Sequence, residues 1–142
     1  MPRLLCFGIM LGLMLTAGCV RVSEQAYVVE DPNAARVVVP ASAPRKGLAS
    51  ARVTMIEFGD FQCPYCGKVQ PTIEGVLAAY PRDLALAFVS FPLSFHENAL
   101  PCAKAFLAAA RQGQAWAMHD QMYAHQSALS DADLQSYAAA IG

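Results

Sequence analysis

The sequence predicts an α/β domain, and three observations carry that prediction. Two apolar runs of strand length, Val53 to Phe58 and Leu84 to Phe91, flank a stretch with helical spacing that begins at Pro64 and closes at Tyr80-Pro81-Arg82-Asp83. Strand, helix and strand in that order make a βαβ unit, with parallel strands and a right-handed crossover. After a loop, the rest of the chain up to Gly142 reads as a series of helices. Where the first strand turns into the first helix stand Cys63-Pro64-Tyr65-Cys66, two cysteines three positions apart.

Taken in order, the chain opens on Met1-Pro2-Arg3, a short segment with one positive charge. Leu4 to Leu15 is apolar except for glycine, too short for the ~20 residues of a membrane-spanning helix. Leu15-Thr16-Ala17-Gly18-Cys19 then places small residues after an apolar core, as signal peptidases require. The segment resembles a bacterial lipoprotein signal peptide over residues 1–18, with Cys19 as the lipidated first residue of the mature chain. Thr16, where Leu or Val is usual, departs from that pattern. Ordinary secretion and an uncleaved anchor are the alternatives, and all three export the domain to a compartment where disulfides persist. The resemblance implies the bacterial cell envelope, lipid-anchored to the membrane and facing the periplasm or cell exterior. Residues 19–50 hold Pro32, Pro40 and Pro44 and one compact apolar run, Val37-Val38-Val39. As a flexible tether of ~30 residues this stretch would reach roughly 30 Å. Alternatively, Val37 to Val39 adds an edge strand that Pro40 ends.

The domain proper is expected over 51–142. Val53 to Phe58 is nearly continuous in its apolar character, which predicts a strand buried on both faces, and Gly59-Asp60 breaks it. From Pro64 the residues Val69, Ile73, Val76, Leu77 and Tyr80 recur at the 3–4 spacing of one helical face. Pro71 lies inside this helix, removes one backbone bond and should bend the axis. Pro92 to Glu97 is loop. Asn98 to Gln112 is an alanine-rich helix with Pro101 in its first turn, and Gly113 interrupts it. Gln114 to Gln126 is a further helix whose Trp116, Met118 and Met122 read as core. Ser130-Asp131-Ala132-Asp133 is a capped start for the last helix, Leu134 to Ile141, with Gly142 at a C-cap position.

Composition narrows the function classes. A net charge of −1 without a basic tract argues against nucleic acid or an anionic lipid surface as partner. Of five cysteines, Cys6 and Cys19 belong to the leader region and Cys102 stands alone, so only Cys63 and Cys66 are closely spaced. Two residues three apart on a helix lie about 60° apart around its axis and one turn along it, which lets two sulfurs meet. At a first helical turn the leading sulfur faces unpaired N–H groups and the positive end of the helix dipole, and both favour the thiolate, the form that attacks disulfides. Pro64 suits the first helical position because its missing N–H would have had no partner there. Cys63 is therefore the expected nucleophile and Cys66, one turn in and more buried, the resolving thiol of higher pKa. A permanent disulfide is the alternative, although so short a loop stabilises little through chain entropy. A zinc site would need four ligands, and Cys102 and His96 have no ligand spacing of their own. Cys102 reads as a small apolar residue on a helix face, with a thiol that exchanges with Cys63 as the alternative. His96, His119 and His125 read as polar or capping residues.

The segment Ile56-Glu57-Phe58-Gly59-Asp60-Phe61-Gln62-Cys63-Pro64-Tyr65-Cys66 resembles the active-site segment of the thioredoxin superfamily, in particular its DsbA-like branch. The likeness continues downstream. Pro71, eight residues after Cys63, resembles the helix-kinking proline of thioredoxin folds. Phe91-Pro92-Leu93, His96, Asn98-Ala99, Gln112-Gly113-Gln114-Ala115-Trp116 and His119-Asp120 resemble the helical insertion of that branch. Coverage runs from about Arg52 to Gly142.

The resemblance implies a thioredoxin-like fold with an inserted helical subdomain. It implies a protein-disulfide oxidoreductase with a redox-active Cys63–Cys66 disulfide, which works through a mixed disulfide without a bound cofactor. The partners would be exported protein thiols or disulfides and a redox partner protein; the oligomeric state is left open. Pro64 and Tyr65 would tune the redox poise. Glu57, six residues before Cys63, stands where the superfamily often places a buried acid that moves protons during resolution by the inner cysteine. A carboxyl at the strand's end paired with lysine or water is the alternative. The family continues with a glycine-rich segment, a strand opening on a cis-proline, a further strand and a final helix, and none of these can be assigned here. The expectation is a partial domain with the C-terminal strands and helix missing, a fragment of a longer product or a short form completed by another chain, and Val53 to Phe58 as an open sheet edge. An incomplete or catalytically impaired thioredoxin-fold domain that binds partners is the alternative function, and a membrane-tethered metal or redox carrier a further one.

Overall fold

A computed structural model describes residues 37–142. The leader 1–18, Cys19 with its expected lipid, and the tether up to residue 36 lie outside the described residues. Within them, the strand-helix-strand order of the sequence is present as β2 (Val53–Gly59), α1 (Pro64–Ala79) and β3 (Leu84–Ser90). β2 and β3 run parallel, in register from Val53 opposite Leu84 to Gly59 opposite Ser90. A two-residue strand, β1 (Arg45–Lys46), pairs antiparallel with the other side of β3 at Ala87 and Leu86, giving the sheet order β1-β3-β2.

β1 departs from the sequence reading. Val37 to Val39 forms no strand, and Val38 is 85% exposed. The sheet instead takes Arg45 and Lys46 from the stretch read as tether. Their pairing is a matter of backbone: Phe88 N donates to Pro44 O at 3.1 Å, and Trp116 Nε1 donates to Arg45 O at 3.0 Å. An unpaired edge of β3 recruits any extended chain within reach, whatever its side chains.

The expectation that β2 is buried on both faces also fails. Among the described residues β2 is an edge strand, in line with the open edge expected from the family likeness, and Val53 and Phe58 are half exposed. The buried strand is β3, where Ala85, Leu86, Ala87 and Phe88 are all inside. α1 covers the sheet thinly: of its predicted apolar face only Ile73 is buried, while Val69, Val76 and Tyr80 face outward. α1 runs as helix through Pro71, with Cys63 as N-cap and Pro64 in first position.

The core lies instead between β3 and three further helices, α2 (Ala99–Arg111), α3 (Ala115–Ala124) and α4 (Asp131–Ile141). Gly113 takes a φ of +78°, which an L side chain resists, and so turns the chain between α2 and α3. α4 starts with the predicted cap: Ser130 Oγ accepts from Asp133 N, and the Asp133 carboxylate accepts from Ser130 N. Phe61, Phe88 and Phe106 stack about one another with centroids 5.0–5.4 Å apart, amid Met118, Met122, Cys102 and Leu134. Phe61 is 1% exposed and stands two residues before Cys63, so the cysteine turn is bolted into this core.

Candidate redox site

The turn from β2 into α1, residues 60–63, carries the leading cysteine. Cys63 N donates to Asp60 O at 3.1 Å, and Cys63 O accepts from Gly67 N at 3.2 Å, so the cysteine is held from both sides by main chain. Among the described residues no side chain caps α1. Cys63 and Cys66 are both free thiols, and both are partly buried. Burial pushes the Cys66 thiol up; a backbone hydrogen bond from Asp60 opposes this, while the hydrogen bond shared with Cys63 adds to it. Pro64 and Tyr65 occupy the first two positions of α1, both exposed, and Lys68 Nζ lies 5.5 Å from the centre of the Tyr65 ring.

Glu57 stands behind the pair on β2, half-buried. Its Oε1 accepts from Gln70 Nε2 at 2.7 Å, and the same amide donates to Cys66 O at 3.0 Å. Gln70 thus joins the acid to the backbone of the inner cysteine. Glu57 Oε2 is buried with no hydrogen-bond partner among the described residues. Burial pushes the carboxyl above the usual range, and the Gln70 bond offsets part of this. No lysine pairs with it among the described residues.

Residues that the sequence reading passed over complete the site. Asp60, read as a strand breaker and as part of the resembling segment but given no role, is 3% exposed. Its Oδ1 accepts from Gln62 N at 2.8 Å, and its Oδ2 accepts from Leu93 N at 3.0 Å and lies 2.7 Å from His96 Nδ1. Gln62 Oε1 accepts from Asn98 N at 2.6 Å. Gln126, just beyond α3, donates from Nε2 to Phe61 O and Cys63 O, each at 2.8 Å. Gly67 leaves room for that amide, since a Cβ there would run into Gln126 Oε1. The Tyr123 hydroxyl is buried without a partner among the described residues, against Gly59, whose absent Cβ would stand 2.8 Å from it. Burial raises this phenol, and the charge of Glu57 adds to the rise. A spacing of four between Cys66 and Gln70 was available as a helical signal. The contacts of Asp60 with Leu93 and His96, and of Gln126 with the turn, join positions 33 to 65 apart and have no local signature.

The remaining candidates fall elsewhere. Cys102 is fully buried in the core, its thiol pushed up to about 11 by burial and then by the Asp60 charge. His119 is buried among Phe61, Phe88, Trp116 and Tyr123, with Nδ1 2.8 Å from Asp120 Oδ1. His125 ends α3, its Nδ1 bonded to Gln121 O at 2.8 Å. Met118 and Met122 are core, and Trp116 packs against it. Among the described residues no three His, Cys, Asp or Glu side chains converge as metal ligands, and no helix is long and apolar enough to cross a membrane.

Comparison with known proteins bears on this geometry. A family model described as thioredoxin matches residues 42–141, which takes in β1 and all the elements after it. Among solved structures, the chain is similar to a thioredoxin-like oxidoreductase from Silicibacter pomeroyi DSS-3, with 28% identity, a TM-score of 0.66, and coverage of 72% of this chain and 58% of that one. It is likewise similar to a periplasmic thioredoxin-like protein from Salmonella enterica serovar Typhimurium, with 25% identity, a TM-score of 0.64, and coverage of 71% and 58%. The catalytic domain of Proteus mirabilis ScsC gives 26% identity, a TM-score of 0.63, and coverage of 71% and 57%. Among curated sequences it matches a Na(+)/H(+) antiporter NhaA 1 of Mycolicibacterium gilvum, 39% identical over 98 residues, which is 68% of this chain and 16% of that protein. The chain therefore spans about a sixth of that curated relative and somewhat over half of the solved chains. The fold is that of the thioredoxin-like oxidoreductases.

Proposed function

This chain belongs to the thioredoxin family, and from that premise we propose that it is a thiol–disulfide oxidoreductase that exchanges disulfides with exported proteins through Cys63 and Cys66. The observation that carries the reading is the pair of free thiols at the start of α1 with a partly buried carboxyl, Glu57, linked through Gln70 to the inner one. In the reducing direction the Cys63 thiolate attacks one sulfur of a substrate disulfide. The Cys63–substrate bond forms, and the other substrate sulfur leaves as a thiolate. Cys66 then gives its proton to Glu57 and attacks Cys63 Sγ. The Cys63–Cys66 bond forms and the mixed disulfide breaks, releasing the second substrate thiol. The oxidising direction is the same path reversed, and a redox partner protein restores the starting state in either case. Pro64 and Tyr65 set the poise by their place beside Cys63 at the head of α1. Export, with Cys19 lipidated and the domain held at the bacterial envelope, is supported by the residues of the leader and by the likeness to a periplasmic thioredoxin-like protein of Salmonella enterica.

The test is trapping. In a Cys66→Ala chain Cys63 should accumulate mixed disulfides with exported proteins, visible on non-reducing gels and absent from a Cys63→Ala chain. A folded Cys66→Ala chain that traps nothing would remove the enzymatic reading. It would leave the second one, a thioredoxin-fold domain that binds partners without turnover, which the outward-facing Val69, Val76 and Tyr80 of α1 favour.

A further inference from the structure

Asp60 is the one acidic residue among the described residues that is buried. A carboxylate out of water is costly unless hydrogen bonds replace its hydration. Here three donors do so: Gln62 N at 2.8 Å, Leu93 N at 3.0 Å and His96 Nδ1 at 2.7 Å. A carboxylate only accepts, so His96 holds its proton on Nδ1. The donors come from two places. Gln62 belongs to the cysteine turn itself, whereas Leu93 and His96 belong to the segment that follows β3. A second tie runs alongside, from Asn98 N to Gln62 Oε1 at 2.6 Å. The main chain of Asp60 meanwhile serves the cysteines: its carbonyl accepts from Cys63 N at 3.1 Å. One residue therefore has its backbone on the cysteine turn and its side chain fixed by a distant loop.

We propose that His96 is a positioning residue for disulfide exchange, holding the Asp60 carboxylate so that the turn from Asp60 to Cys63 keeps both sulfurs where the Cys63–Cys66 bond can close. The argument is geometric. A disulfide needs its two Cβ atoms about 3.5–4.5 Å apart and a dihedral near 90°. α1 sets the position of Cys66, but Cys63 is the N-cap and sits outside the helix, with φ −72° and ψ 119°. Its place depends on the turn, and the turn depends on Asp60. Without the His96 donor the carboxylate keeps two backbone bonds but has lost its one side-chain partner. A charged, buried group with a vacant acceptor site draws in water or swings outward, and either response loosens the turn. A looser turn favours the open dithiol over the closed disulfide, because closing must then order what the native turn had already ordered.

This inference rests on the redox reading of Cys63 and Cys66, and its test separates the two. The full chain, with His96→Leu and His96→Asn variants, is equilibrated in glutathione buffers of defined ratio, and the disulfide fraction is read by alkylation and mass. Leu has the branching of the histidine at Cγ but no donor, whereas the Asn amide nitrogen can occupy the Nδ1 position. Expected is a fall of about fivefold or more in the equilibrium constant for disulfide formation in H96L, about 20 mV on the two-electron scale. H96N should lie within about twofold of the unmodified chain. Thermal unfolding of each variant is measured alongside. An H96L chain that loses stability but keeps its equilibrium constant would assign His96 to the fold alone and overturn the proposal. So would an H96N chain no better than H96L, or variants at His96 that all fail to fold, with His96→Ala included. An unmodified chain that forms no disulfide in any glutathione buffer overturns the proposed function itself, and this inference with it.

Discussion

Replacing Gly67 by alanine should destabilise the unmodified chain and stabilise one that lacks the Gln126 side chain. A Cβ at Gly67 would collide with Gln126 Oε1 and come within 2.7 Å of its Cδ. The amide must then swing away, and its Nε2 loses the 2.8 Å bonds to Phe61 O and Cys63 O. Each such bond contributes ~1 kcal/mol net, so the displacement costs about 2 kcal/mol. Alanine in place of a helical glycine returns ~0.5–1 kcal/mol. The expected net cost of Gly67→Ala is therefore about 1–1.5 kcal/mol, or a fall in Tm of roughly 4–12 °C for a domain of this size. In a Gln126→Ala chain the two bonds are already gone and only the helical gain is left, so the same substitution should stabilise by ~0.5–1 kcal/mol. Urea unfolding of the four chains gives the coupling directly, and about 2 kcal/mol is expected. If Gly67→Ala has the same effect in both backgrounds, with coupling below ~0.5 kcal/mol, the amide is not held over the cysteine turn as described.

Glu57→Gln should slow the second step of exchange, the release of glutathione from a Cys63 mixed disulfide, by about 10²-fold, as expected when a proton acceptor is removed. Stopped-flow rates unchanged by the substitution would take Glu57 out of the chemistry. The same residue sets a pH slope. Its folded pKa is raised by burial, so the folded chain binds this proton more tightly than the unfolded chain, whose value is ~4.3. Its effect on stability is most favourable below that value and is lost as pH rises through the folded pKa; Glu57→Gln should abolish that part of the decline. His119 has the opposite sign. Burial lowers its folded pKa, so stability should fall as pH drops below ~6.5, where the unfolded imidazole gains its proton. His119→Phe should flatten that slope in urea titrations between pH 7 and 5, and an unaltered slope would place the titration elsewhere. Cys102, buried and with its thiol pushed up to about 11, should resist iodoacetamide at pH 8 while the half-buried Cys63 reacts. Equal labelling of the two in the folded chain would contradict its placement.

Elements with local causes were readable from the residues. Pro64 opens α1 because a first helical position needs no N–H, and the Ser130–Asp133 cap opens α4 because both partners lie within one turn. The parallel pairing of β2 with β3 followed from the helix between them. β1 was not readable, since Arg45 and Lys46 join the sheet through backbone bonds to β3, and neither hydropathy nor alternation marks such a pairing. The outward face of β2 was misjudged for a related reason. An apolar run by itself says what a strand could bury; the open edge that the family likeness implied for Val53 to Phe58 is what leaves that face uncovered.

The cysteine pair itself was a matter of local chemistry. Its spacing, the proline between the sulfurs, the helix that follows and the acid on the preceding strand are all set within about fifteen residues, where chain connectivity alone constrains distance. What holds that pair in place is of another kind. Asp60 meets His96 and Gln126 meets Phe61 and Cys63 across 36, 65 and 63 positions, and Phe61 anchors the turn among rings from β3 and α2. Contacts at such separations depend on which surfaces the helices α2 to α4 bring against the sheet, so no window of sequence contains them. The residues that can carry the chemistry were written in one short segment. The packing of the whole domain decided how that segment is held.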